Sequence, residues 1–297
     1  MSEPALCPAR DEPLDAGTSF LPLACSLDPR QVAATWSPQP APALPADQQK
    51  RIDAAWEQAL AKAARRGARL FDGPLCRLMD FSFAEGRLEL HLSPTSYKQF
   101  VGTNRSDPTA RLFGGTLADP LGVIALVLTS DGQILLGRRS KTVAEYPDLI
   151  HPVGGCLDWH GRDLSPGDAH APLPDPLAAL MTELEEETGV TAPHVSAAAC
   201  IGLVRDKRTY QPEIVYDLTV DLDAAAIRQA ALTAADAHEH TEMIAIPDDP
   251  VDLARFIETH LCQTTPATPG ALLLHGRSRW GNAWFTSVRA MLRAATA

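Results

Sequence analysis

The distribution of apolar positions along the chain predicts a mixture of strands and helices. Residues 123–129 form an apolar run typical of a buried strand, residues 131–132 are an Asp-Gly pair that favours a two-residue turn, and residues 134–136 are apolar again. This pattern predicts a hairpin at which a sheet core begins. Further strands are predicted at residues 87–92, 198–205, 213–222 and 243–246.

Other stretches have the spacing of amphipathic helices. Residues 47–66 place their apolar side chains on one stripe. Another helix is predicted to begin at Asp175, an N-cap residue followed by Pro176, and to end at Gly189. Shorter helical stretches follow residue 222 and occupy residues 251–260 and 280–293.

Strands and helices of these lengths predict an α/β protein in which helices cover both faces of a sheet, an α/β/α sandwich. Residues 1–117 are predicted to form a small N-terminal α+β domain whose Pro- and Ala-rich start is partly flexible. Residues 118–297 are predicted to form a second domain that includes the C-terminal helices.

The charge balance excludes some classes of function. The formal net charge is −11, which argues against general binding to nucleic acid or to an anionic membrane. An anionic substrate would therefore need a local cationic group or a metal ion. The six cysteines form no Cys-x-x-Cys pair, and no apolar run approaches the ~18 residues that span a bilayer. We therefore expect a cytoplasmic protein. The sequence does not determine its oligomeric state.

One face of the helix after Asp175 is acidic. Glu183, Glu186 and Glu187 recur at spacings of three and four residues, so their carboxylates share a face. Leu177, Leu180 and Leu184 recur at the same spacings and form the buried stripe of this helix. An isolated glutamate-rich run is most often a solvated helix surface. A Pro-Val-Gly-Gly turn at residues 152–155, directly after a predicted strand, favours a functional site over a solvated helix surface.

Together these residues resemble the Nudix box. Residues 183–190 read Glu-Leu-Glu-Glu-Glu-Thr-Gly-Val and match the last eight positions of that motif. Two positions depart from it: Thr182 replaces the usual Arg, and Pro174 stands where the first Glu falls. From Gly155 to Glu183 there are 28 positions where the usual box has 15, an insertion of 13 residues.

The resemblance implies a metal site. The carbonyl oxygen of Gly155 and the carboxylates of Glu183, Glu186 and Glu187 would be its ligands, and such hard oxygens suit Mg²⁺, with Mn²⁺ possible. The inserted loop is expected to form a lid over the substrate, a role preferred to a second metal site made of His160, Asp163, Asp168 and His170.

Three stretches extend the resemblance to one branch of the family, the Nudix hydrolases that cleave UDP-glucose and UDP-galactose. They are residues 95–104, 119–123 and 138–145. The likeness implies Mg²⁺-dependent hydrolysis of a nucleotide sugar to UMP and a sugar 1-phosphate. The alternatives are a Nudix hydrolase of ADP-ribose, NADH or a CoA ester, and a catalytically idle Nudix domain that binds nucleotide sugars.

The same branch suggests candidate substrate contacts. Arg139, Ser140 and Arg205 are candidate substrate contacts, because charge-assisted hydrogen bonds suit the oxygens of a pyrophosphate. The alternative remains open that the basic strand end at residues 138–141 is only solvated. Tyr97 and Asn104 are predicted to hold the uracil or the ribose. For these last two the alternative remains open that they only fix the N-terminal unit to the rest of the protein.

Three carboxylates are candidate catalytic residues. Glu183 and Glu239 are the candidates for the base that accepts a proton from water, and Glu187 completes the catalytic set. Glu239 belongs to an Ala-His-Glu-His-Thr segment, in which His238 and His240 are expected to be structural or surface residues.

Overall fold

A computed structural model describes residues 12–13, 19–38, 46–67, 70–108, 116–159 and 173–294. Residues 160–172, which include His160, Asp163, Asp168 and His170, lie outside the described residues, so the predicted lid does too. The strands are β1 Glu12–Pro13, β2 Phe20–Leu27, β3 Val32–Trp36, β4 Pro74–Ala84, β5 Arg87–Ser96, β6 Gly122–Leu128, β7 Gln133–Arg139, β8 Ile150–His151, β9 Val153–Cys156, β10 Val195–Arg205, β11 Pro212–Val220 and β12 His240–Pro247. The helices are α1 Ala46–Arg65, α2 Tyr97–Phe100, α3 Pro176–Thr188, α4 Ala224–Ala231, α5 Pro250–His260 and α6 Ala267–Ala294, the last interrupted at Gly281.

Nine of the described strands form one sheet. Its order is β1-β2-β10-β11-β6-β7-β12, with β9 paired to β6 and β8 paired to β7. Helices α3 and α4 cover one face, where a front core forms around Leu180, Leu184 and Ile227. Helices α5 and α6 cover the other face, where a back core forms around residues such as Leu253 and Leu273. The predicted α/β/α sandwich is confirmed.

Strand β6 is apolar throughout because it is buried on both faces. Val123, Ala125 and Val127 belong to the front core, whereas Ile124 and Leu126 belong to the back core. A strand covered on both faces loses the usual alternation of apolar and polar residues. The apolar run in the sequence therefore marks the centre of the sheet.

Local signals define helix α3 as predicted. The side chain of Asp175 accepts hydrogen bonds from the backbone N–H groups of Leu177 and Ala178, at 2.9 and 3.2 Å. Pro176 occupies the first helical position, and Gly189 ends the helix with a left-handed φ of 73°. The helix buries its leucine stripe, and the acidic face is thereby turned toward β9.

A smaller sheet of order β3-β5-β4 forms the N-terminal unit together with α1 and α2. Its strands add Leu78, Leu88 and Leu90 to the front core. The structure differs from the predicted division at residue 117, because β2 lies in the large sheet and pairs with β10. Strands so distant in sequence leave no local signal of their pairing. The composition of the N-terminal segment therefore did not indicate that β2 pairs with β10.

A divergence of two strands makes room for a cleft. The first half of β6 pairs with β9, in the register Gly122↔Cys156, and its end pairs with β7, in the register Val127↔Leu135. The other end of β7 pairs with β8 instead. β6 and β7 therefore separate with β9 and β8 between them, and residues of all four strands line the cleft. None of the described helices is both long and apolar enough to span a bilayer.

Candidate active site

The cleft beside β6 has a volume of about 220 Å³ and brings together four predicted site residues: Arg139, Gly155, Glu183 and Glu239. Arg139 ends β7, Gly155 lies in β9, and Glu183 lies on α3. Glu239 lies just before β12. Residues more than 80 positions apart in the sequence thus meet where the central strands separate.

Glu183 lies directly over Gly155. A Cβ atom on Gly155 would stand 2.1 Å from Oε1 of Glu183, so any other residue at this position would displace the carboxylate. Burial raises the pKa of Glu183 to about 8, and the charges of Glu187, Glu239 and Glu186 add to the rise. The carboxylates are therefore close enough to repel one another.

Glu187 lies deeper and is held in place. Its side chain is 2% exposed, and its Oε2 atom accepts hydrogen bonds from Nε2 of His240 at 2.9 Å and from the N–H of Gly154 at 3.4 Å. Burial raises the pKa of Glu187, and the bond from His240 opposes that rise. A Cβ on Gly137 would lie 2.2 Å from Nδ1 of His240, so this glycine makes room for the ring. His240, expected to be structural or at the surface, fixes a predicted ligand.

Glu186 is half-buried and lies outside the cleft lining, although its charge acts on Glu183. Its backbone carbonyl accepts a hydrogen bond from the N–H of Asp236 at 2.7 Å, which ties α3 to the loop before β12. No group of three or more Asp, Glu, His or Cys side chains in the described ranges is arranged to hold a metal ion. The three predicted carboxylate ligands nevertheless remain neighbours on one helix face.

Arg139 and Glu239 form another wall of the cleft. Nε of Arg139 donates to the backbone oxygen of Glu145 at 3.0 Å. The backbone oxygen of Glu239 accepts a hydrogen bond from the N–H of Ser140 at 2.7 Å. Ser140 is itself buried beside Thr142, with 2.8 Å between their hydroxyl oxygens, and does not line the cleft.

Tyr97 reaches the cleft wall through Glu145. Its hydroxyl donates to Oε1 of Glu145 at 2.7 Å, and Nη1 of Arg105 donates to the same oxygen at 2.7 Å. Burial is the main cause of the raised pKa of Tyr97, and the charge of Glu145 adds to it. Tyr97 thus holds a residue that lines the cleft, while its own ring lies behind the wall.

Asn104 and Arg205 are committed to contacts within the protein. Nδ2 of Asn104 donates to Oδ1 of Asp119 at 2.8 Å and to the backbone oxygen of Thr209 at 2.9 Å. Nη1 of Arg205 donates to the backbone oxygen of Tyr210 at 3.1 Å. Neither lines the cleft. For Asn104 the contacts match the open alternative, in which it fixes the N-terminal unit to the large sheet.

The sequence did not single out several residues that line the cleft. The polar ones among them are Glu145, Tyr146, His151, Cys156, Gln211, Glu213 and Thr265. Tyr146 has a left-handed φ of 48°, and its hydroxyl donates to Asp206. Glu213 had a detectable signal, an acidic residue at the start of a strand, directly before the apolar pair Ile214 and Val215. The others lie in loops or strand ends whose positions depend on pairing between distant segments.

Comparisons with known proteins found relatives in sequence and neighbours in structure. No family model matches the chain. The mouse (Mus musculus) uridine diphosphate glucose pyrophosphatase NUDT22 is 30% identical over 253 residues, which cover 77% of this chain and 80% of the relative. Nudix hydrolase 9 of Arabidopsis thaliana is 26% identical over 180 residues, 54% of this chain and 58% of the relative. The MutT protein of Methanosarcina mazei Go1 has a TM-score of 0.37 and 18% identity, over 55% of this chain and 99% of that one.

These relatives show that the protein is a hydrolase, and the chain belongs to the Nudix hydrolase family. Members of this family generally use divalent metal ions and act on small nucleotide substrates. The resemblance of residues 183–190 to the Nudix box and the similarity of 77% of the chain to the mouse relative therefore lead to the same family.

Proposed function

We propose that the protein hydrolyses the pyrophosphate bond of a nucleoside diphosphate sugar, UDP-glucose or UDP-galactose, to UMP and a sugar 1-phosphate, with Mg²⁺ as its ion. The observation that carries the proposal is the carboxylate of Glu183, held over Gly155 in a cleft that Arg139 and Glu239 also line. The mouse relative, named for the cleavage of UDP-glucose, supports this substrate class. The proposed compartment is the cytoplasm, where free thiols such as those of Cys25, Cys156, Cys200 and Cys262 persist.

The chemistry of the cleft fits a divalent cation. Burial and the charges of Glu187, Glu239 and Glu186 raise the pKa of Glu183 to about 8, and a cation would relieve this repulsion. Mg²⁺ commonly binds one or two carboxylates together with water and substrate phosphates, so a ready-made cage is not needed. In this proposal Glu183, Glu186, Glu187 and the carbonyl oxygen of Gly155 hold Mg²⁺, or Mn²⁺ in its place. The bound ion would neutralise phosphate charge and lower the pKa of water.

The chain's own residues divide the remaining work. Arg139 donates charge-assisted hydrogen bonds to a phosphate oxygen. Glu239 or Glu183 accepts the proton of the attacking water, whose oxygen bonds to one phosphorus while the bridging P–O bond breaks and its electron pair leaves with the other phosphate. His240 keeps Glu187 in place through the 2.9 Å hydrogen bond. Direct contacts of Tyr97, Asn104, Ser140 and Arg205 with the substrate remain predictions.

A substrate panel tests the proposal. Purified protein is incubated with Mg²⁺ or Mn²⁺ and with UDP-glucose, UDP-galactose, ADP-ribose, NADH and a CoA ester, and products are identified by mass. We expect UMP and a sugar 1-phosphate from the UDP-sugars, and no turnover after chelation of the metal. Preference for another compound would replace the proposed substrate. Cleavage of none of them would contradict the proposal.

A pair of variants on the same helix links the activity to the cleft. Glu183→Gln removes a charge that lines the cleft, and we expect kcat to fall by about 100-fold or more. Glu185→Gln is the matched control, because Glu185 is exposed on α3 and lies outside the cleft lining. Equal activities of the two variants would show that Glu183 does not take part in catalysis.

A further inference from the structure

Glu213 projects into the cleft from the strand next to β6. In the parallel pairing of β11 with β6, Glu213 lies beside Gly122, and Gly122 lies opposite Cys156 of β9. A Cβ on Gly122 would stand 2.7 Å from Cγ of Glu213, so the glutamate side chain crosses the space that this glycine leaves open. Three adjacent strands thus combine to aim one carboxyl group into the cleft.

One oxygen of this carboxyl group is buried without a hydrogen-bond partner among the described residues. Glu213 is 7% exposed, and the oxygen is its Oε2 atom. Nearby donors are committed elsewhere: the hydroxyl of Tyr146 donates to Asp206, and Nε2 of Gln211 contacts the sulfur of Cys156 at 3.4 Å. An unsatisfied buried oxygen costs free energy, and a hydroxyl group of a ligand bound in the cleft would satisfy it.

Glu213 and Glu183 enter the cleft from opposite faces of the sheet. Gly155, under the Glu183 carboxylate, pairs with Val123, whose side chain belongs to the front core. Glu213 shares its face with Val215, two positions further along β11, whose side chain belongs to the back core. A substrate whose phosphates lie beside Glu183 therefore extends its other part toward Glu213.

The surroundings of Glu213 suit a neutral group with many hydroxyls. Burial and the charge of Asp206 raise the pKa of Glu213 to about 8, while Arg139 lowers it. Uncharged Gln211 and Thr265 also line the cleft, and Oγ1 of Thr265 lies 2.8 Å from Nδ1 of His151. A second acidic group beside Asp206 disfavours a phosphate, whereas carboxyl, amide and hydroxyl groups match sugar hydroxyls.

We propose that Glu213 is a specificity-determining residue that hydrogen-bonds hydroxyl groups of the sugar in the nucleotide-sugar substrate. This inference rests on the proposed function and names the part of the cleft that recognises the sugar. Glu213 would have a different role if it contacted the uracil or the metal ion, and the test distinguishes both cases from a contact with the sugar.

The experiment compares two ligands that differ only in the sugar. For the wild type and for Glu213→Ala, kcat/KM is measured with UDP-glucose as the substrate. The methyl ester of UDP is then added as a competitive inhibitor and its Ki is determined. This Ki can be obtained whether or not the ester is cleaved. We expect Glu213→Ala to lower kcat/KM for UDP-glucose by about 10- to 100-fold and to change the Ki of the ester by less than about twofold. Glu258→Gln, at an exposed site on α5, is the control and should leave both values unchanged.

A second variant guards against misfolding. Glu213→Gln keeps the shape and one acceptor oxygen, so we expect it to retain the thermal unfolding midpoint and to restore part of the loss on UDP-glucose. A similar loss for both ligands would overturn the inference in favour of a contact with the nucleotide. A higher Mg²⁺ requirement in either variant would overturn it in favour of a metal contact. If the wild type itself does not cleave UDP-glucose, the proposed function is wrong and the sugar assignment falls with it.

Discussion

The most specific prediction for stability concerns His275, a buried residue of α6 far from the cleft lining. Its Nδ1 lies 2.9 Å from Oδ2 of Asp217, and its Nε2 lies 3.0 Å from Oδ1 of Asp248. Arg279 reaches the other oxygen of Asp248 at 3.4 Å, and the ring of Trp280 packs edge-on at 5.6 Å. Both ring nitrogens can donate a hydrogen only when the imidazole is protonated. The network therefore favours the charged form.

The size of the effect follows from the pKa. Burial alone would lower the pKa of His275, but the hydrogen bonds to Asp217 and Asp248 and their charges outweigh it and raise the pKa from 6.5 to about 9. At 1.36 kcal/mol per pH unit this rise corresponds to about 3 kcal/mol of stability. Because the folded pKa is the higher one, the contribution is fully present below pH 6.5 and is lost as the pH rises through 9.

Urea unfolding of the wild type and of His275→Gln measures this contribution. The free energy of unfolding is determined for both proteins at about pH 6 and at about pH 10, and the difference between the two proteins is compared, so that other titrating groups cancel. We expect this difference to shrink by about 3 kcal/mol between the two conditions.

The exposed His194–Asp221 pair supplies the control. Both of its side chains are more than one third exposed, so His194→Gln should change stability little at either pH. A difference between wild type and His275→Gln that stays constant with pH would refute the argument, because it would mean that His275 binds its proton equally well in the folded and unfolded chains.

The remaining predictions concern the cleft and its supports. Glu187→Gln should lower kcat at saturating Mg²⁺ by at least about 100-fold, with the thermal unfolding midpoint little changed, and near wild-type turnover would exclude Glu187 as a ligand. His240→Ala should raise the Mg²⁺ concentration for half-maximal activity by about 10- to 100-fold, and an unchanged metal requirement would show that His240 does not position Glu187. Asn104→Ala should cost about 1–3 kcal/mol of stability at unchanged KM, since it leaves buried partners unsatisfied. A raised KM at full stability would instead support substrate binding by Asn104.

Elements defined by local signals could be predicted from the sequence. Helix α3 begins at Asp175 and ends at Gly189 as the capping residues indicate, and the apolar run of β6 marks the buried centre of the sheet. Within the cleft, Glu183 and Gly155 were identified because the motif fixes their spacing relative to a helix and a turn. Such features depend on residues within a few positions of one another.

Features that depend on distant pairing could not be predicted. Glu213 was visible as an acidic residue near the start of a predicted strand, but its position in the cleft depends on the register of β11 against β6. The position of the His240 ring depends on the space left by Gly137, more than 100 positions away in the sequence. Tyr146 adopts a left-handed backbone conformation that a tyrosine rarely takes, and nothing in the local sequence indicates it.

The pairing of β2 with β10 has a practical consequence for protein engineering. A shortened chain that began at residue 118 would lose Phe20–Leu27 and leave the backbone N–H and C=O groups of one side of β10 without their partners. Unprotected strand edges recruit strands from other molecules, so such a truncation is expected to self-associate. A chimera that takes its N-terminal unit from a relative would therefore fold only if residues 20–27 came from the same protein as residues 118–297.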